Sequence, residues 1–137
     1  MKQDRFLILA ISILILFVSC KKQTELRVNN CPDIPRKIQF SLYTDTDFSQ
    51  YNGNITFTVS IRNANHQTLW DSVMPQMRVK DIPGKNHKIF IEKKVPGNDS
   101  SLLQVGFIYS IQDVGISWFW DQSKPCETLK KVNFNFK

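Results

Sequence analysis

Residues 55 to 62 read ITFTVSIR, with Ile55, Phe57, Val59 and Ile61 alternating with Thr56, Thr58, Ser60 and Arg62. Successive side chains of an extended chain point to opposite faces, so this period of two predicts a strand with one buried side. The same pattern recurs on both sides of it. Upstream, Ile38, Phe40 and Leu42 alternate with Gln39, Ser41 and Tyr43 from Arg36 onward. Downstream, a polar turn at Asn63 to Gln67 leads to Thr68–Met74, a hairpin partner. A short strand is expected over Met77–Ile82, ending at Pro83-Gly84, and another from Ile89 to Pro96-Gly97. Leu103, Val105, Phe107, Tyr109 and Ile111 form the longest apolar row. After a break at Asp113, a further row is expected from Val114, Ile116, Trp118 and Trp120. Val132, Phe134 and Phe136 close the chain as an edge-like strand.

No window after residue 20 has a period near 3.6, and turn residues separate the strands at fairly regular spacing. One-sided strands bury their apolar rows by facing each other. The expectation is therefore an all-β domain at 36–137, an antiparallel two-sheet sandwich of seven or eight strands. The alternation resembles the immunoglobulin-like and fibronectin type III-like class, with a small barrel as the other closed solution. That class by itself implies no activity.

The first residues carry a different signal. Met1 to Arg5 is short and polar with Lys2 and Arg5, and Phe6 to Val18 (FLILAISILILFV) is apolar apart from Ser12. A basic start, a short apolar stretch and a small residue before the cut describe a secretory signal. Thirteen residues fall short of the roughly 20 that a spanning helix needs. The tetrad Phe17-Val18-Ser19-Cys20 resembles the lipobox of bacterial lipoproteins, with Phe17 where leucine is usual. The resemblance implies a signal peptide at 1–19, removed on export, and acylation of Cys20, palmitate-type chains included, as the new N-terminus. Residues 20–35 then form anchor and tether. Several acyl chains, each methylene contributing about 0.8 kcal/mol, hold a protein stably at a bilayer. Lys21-Lys22 after the anchor, where an aspartate would signal inner-membrane retention, implies an outer-membrane location, with the leaflet open.

Charge narrows the partners. The full chain has 18 Lys+Arg against 12 Asp+Glu, and removing Met1–Ser19 leaves 16 against 11, a balance of +5. The basic residues are dispersed in pairs (Lys21-Lys22, Arg36-Lys37, Lys93-Lys94, Lys130-Lys131), which describes a solvated surface and not a nucleic-acid face. His66 and His87 lie on separate turns without a metal-ligand spacing, so neither zinc nor copper is expected. Asp45, Asp47, Asn52 and Asn54 share a turn-rich segment, but no calcium-loop spacing follows, and the segment reads as an ordinary turn. No nucleophile elbow and no phosphate-cradling glycine loop occurs, so no catalytic residue, cofactor or enzymatic role is assigned.

Two stretches remain. In Ser117–Asp121 (SWFWD), Trp118 and Trp120 continue the row of Val114 and Ile116 and are expected in the core. Phe119 then points the other way and, with Asp121, is the candidate ligand-binding pair. With Cys20 acylated, Cys31 and Cys126 are left in an oxidising compartment and are expected to pair. The functional expectation is a lipid-anchored envelope domain that binds or scaffolds, its partner another envelope protein or a glycan. A glycan-binding module or weak glycan hydrolase is the alternative.

Overall fold

The computed structural model describes Cys31 and residues 34–96 and 101–137. The signal peptide at 1–19, Cys20 and most of the expected tether lie outside the described residues. Eight strands follow in order: β1 (Arg36–Thr44), β2 (Asn54–Arg62), β3 (Thr68–Val73), β4 (Met77–Arg78), β5 (Ile89–Val95), β6 (Leu103–Ile111), β7 (Gly115–Ser123) and β8 (Leu129–Phe136). One sheet runs β5-β1-β8. The other runs β3-β2-β6-β7, with β4 pairing the beginning of β2. Because β1, β5 and β8 share one sheet while the other strands share the second, the chain crosses between sheets after β1, β4, β5 and β7, which interlocks them. The all-β two-sheet sandwich is therefore the architecture the chain adopts.

The alternating rows of β1, β2, β6 and β8 meet in the middle. Ile38, Phe40, Leu42, Ile55, Phe57, Val59, Ile61, Leu103, Val105, Phe107, Val132, Phe134 and Phe136 are all buried there. Phe134 sits among aromatic rings from both sheets, within 5.2 Å of Phe107 and 5.6 Å of Tyr109 between ring centres. Tilted and edge-on contacts of this kind add to the burial of apolar area. The segment expected as a strand over Met77–Ile82 pairs only at Met77–Arg78 and then tightens into a 3-10 turn, Val79–Asp81. Arg78 Nε reaches Asp81 Oδ2 at 2.7 Å across that turn, and Val79 and Ile82 tuck into the core.

One pairing departs from the antiparallel expectation. β8 lies parallel to β1, from Lys37 opposite Leu129 to Thr44 opposite Phe136. Parallel pairing sets the beginnings of the two strands side by side. Cys31, just ahead of β1, and Cys126, just ahead of β8, consequently meet as a disulfide with Cα atoms 4.8 Å apart. Antiparallel pairing would have put them at opposite ends of a strand pair about 25 Å long. Arg36 secures the same end of the sandwich. Its buried guanidinium donates to the Ser101 carbonyl at 2.9 Å, to Ser123 Oγ at 3.2 Å and to the Lys124 carbonyl.

Candidate functional site

The outward faces of β2, β6 and β7 form the candidate site. Register fixes which residues share it. Ile108 opposes Trp118, Gly106 opposes Trp120, and Gln104 opposes Gln122 on one side and Arg62 on the other. Since Phe57, Val59 and Ile61 point to the core, Thr58, Ser60 and Arg62 point out, and the same parity carries across to Trp118 and Trp120.

This corrects the expected orientation of β7. Val114, Ile116 and Trp118 are 78%, 69% and 65% exposed, and Trp120 is half-buried on the same outer face. Phe119 is the residue that turns inward, stacked on Phe134 with ring centres 5.0 Å apart and planes 15° from parallel. β7 is the edge strand of its sheet, and across the sandwich its inner row meets β8, where Phe119 packs on Phe134 and Asp121 pairs with Lys130. A single phenylalanine fills the apolar part of that row; Gly115, Ser117, Asp121 and the buried Ser123 make up the rest.

Trp120 is held in place by a glycine. A Cβ added at Gly106 would stand 2.0 Å from the Phe119 carbonyl oxygen and 2.9 Å from Cε3 of Trp120. Only a residue without a side chain lets the indole lie across the strand there. The Arg62 guanidinium covers it from β2, with Cζ 4.6 Å from the ring centre, a cation–π contact. Beside it His66 Nδ1 lies 3.0 Å from Gln104 Oε1. Among the described residues Arg62 enters no ion pair, and its Nε has no hydrogen-bond partner. Arg62, Ile108, Trp118 and Trp120 line a shallow groove of about 340 Å³.

The other sequence candidates fall elsewhere. Asp121 faces the sheet–sheet seam, where its Oδ2 pairs with Lys130 Nζ at 2.8 Å and its Oδ1 accepts from the Gln122 amide. Phe119 and Asp121 therefore do not share the outer groove. The Asp45–Asn54 segment is tied into local turns. Asp47 Oδ1 accepts from the Ser49 amide at 2.9 Å, which holds its carboxyl below the ordinary value, and Asp45 Oδ2 accepts from Asn135. Cys20 lies outside the described residues. Arg62 and Ile108 were missed as site residues. The legible signal was Gly106, a glycine within an otherwise bulky strand, which marks a close approach by a neighbour.

Comparison with protein-family models, with curated proteins and with solved structures finds no match to this chain. The class defined here is thus architectural, an eight-stranded β-sandwich carrying an aromatic and cationic outer face.

Proposed function

We propose that this protein is a lipid-anchored domain of the bacterial cell envelope, seated at the outer membrane, that binds a glycan through the outer face of β6 and β7. The observation carrying the reading is the outward direction of Trp118 and Trp120, at alternate positions of one strand and about 7 Å apart along it. The exposed indole of Trp118 offers a flat face for a saccharide ring, Trp120 with Arg62 over it forms the adjoining wall, and a shallow groove suits a ligand that lies along a surface. The anchor at Cys20 is supported by the lipobox-like FVSC and gives the domain a fixed surface to work from.

The test pairs retention with folding. Full-length protein should co-sediment with the polysaccharide fraction of isolated envelopes, and Trp118→Ala should reduce retention by about tenfold while melting as wild type does. Unchanged retention in that variant removes this face from the function. A second reading is favoured by the edge of β7. The strand is nine residues long and carries no basic residue, whereas β5 carries Lys93 and Lys94, β8 carries Lys130 and Lys131, and β3 is short and bulged. Lysine on an edge discourages strand addition, so β7 is the side where another envelope protein would add a strand. Crosslinks from Ser117 to a protein, with no glycan retained, would select it.

A further inference from the structure

We infer that the ligand of the outer face is an acidic glycan, with a sugar ring on Trp118 and its carboxylate on Arg62; this rests on the glycan reading above. The two indoles are not equivalent. Trp120 is laid over Gly106 and has one face occupied by the Arg62 guanidinium, whereas Trp118 stands 65% exposed beside Ile108. Trp118 is therefore the free stacking surface, and Trp120 is the support on which the cation rests.

Stacking uses the flat face of a guanidinium and leaves the N–H groups along its rim directed outward in the plane. A rim of this kind takes a carboxylate through two parallel hydrogen bonds, which a compact ammonium does not reproduce. The cation is also uncommitted. Among the described residues no carboxylate pairs with it: Asp121 is engaged by Lys130 on the other side of the sheet, and Asp71, on the outer face of β3, makes no ion pair with it. One uncompensated cation beside an apolar floor of Ile108 and indole matches a ligand with an apolar flat body and a single negative group. A uronic acid residue has both within one ring. A phospholipid surface would instead be met by several cations on one face, and the lysine pairs lie on β5 and β8, away from this groove.

The experiment measures affinity of the full-length protein in detergent for polygalacturonate and alginate, for their methyl esters, and for dextran. The acidic polymers should bind about tenfold tighter than their esters and lose that advantage in high salt. Arg62→Gln should bring acid and ester to the same affinity, and Arg62→Lys should restore only part of the difference. Trp118→Ala should weaken both acid and ester. Equal affinity for acid and ester in wild type, or an acid preference untouched by Arg62→Gln in a variant that melts normally, overturns the acidic assignment while leaving the glycan reading in place. Binding to none of the polymers, with a protein captured on this face in its stead, overturns both.

Discussion

β2 and β7 flank β6 in one sheet, and each carries bulky apolar side chains at every second position. In β2 the row Ile55, Phe57, Val59, Ile61 faces the opposing sheet and is wholly buried. In β7 the row Ile116, Trp118, Trp120, continuing from Val114 in the turn before it, lies on the outer face, and Phe119 faces in. The two strands differ in their place in the sheet. β2 is an interior strand whose inner row is entirely apolar and buried, whereas β7 is the edge strand, and its inner row is mostly small or polar with Gly115 and Ser117 exposed. Apolar area on β2 stabilises the fold, and apolar area on β7 is left in solvent. A large exposed apolar patch is the informative feature of a protein surface, more so than any single exposed residue.

The comparison can be broken most severely at Phe57. Truncation to alanine removes a ring packed against Tyr109, Phe134 and Phe136 and should destabilise by about 3–5 kcal/mol in denaturant unfolding. Next comes the disulfide that ties the end of β7 and the start of β8 to the entry of β1. Cys31→Ser with Cys126→Ser releases a long loop and should cost about 2–4 kcal/mol, read as a lower denaturation midpoint than the oxidised wild type. Gly106→Ala is a sharper probe of the β7 side. The added methyl must displace Trp120 and strain the β6–β7 pairing, a cost of about 1–3 kcal/mol, and tryptophan fluorescence should report the altered indole environment. Trp118→Ala is the smallest, within about 0.5 kcal/mol of wild type, because the side chain it removes is mostly in water. A large loss there would place Trp118 in the core after all.

The strands themselves were legible in the sequence. β1, β2, β6 and β8 follow from alternation alone, because each has only one apolar row and that row can face only the other sheet. β7 was legible as a strand but not as an orientation. Both of its faces offer aromatic residues, so alternation leaves two phases open, and a one-residue change of phase exchanges core for surface. The cysteine pairing was legible from chemistry and compartment, while its geometry depended on β8 running parallel to β1.

The sequence by itself determined the all-β class, the positions of most strands, the core rows of four of them, and the pair of cysteines available to bond. Tertiary structure alone decided which face of β7 turns inward onto β8, that Gly106 makes room for Trp120, and that Arg62 lies across that indole from two strands away. The reason is physical. Alternation is a local property of the chain, whereas the face that is buried depends on what the opposite sheet places across from it. Arg62 and Trp120, 58 positions apart, meet only because β2 and β7 take opposite sides of β6.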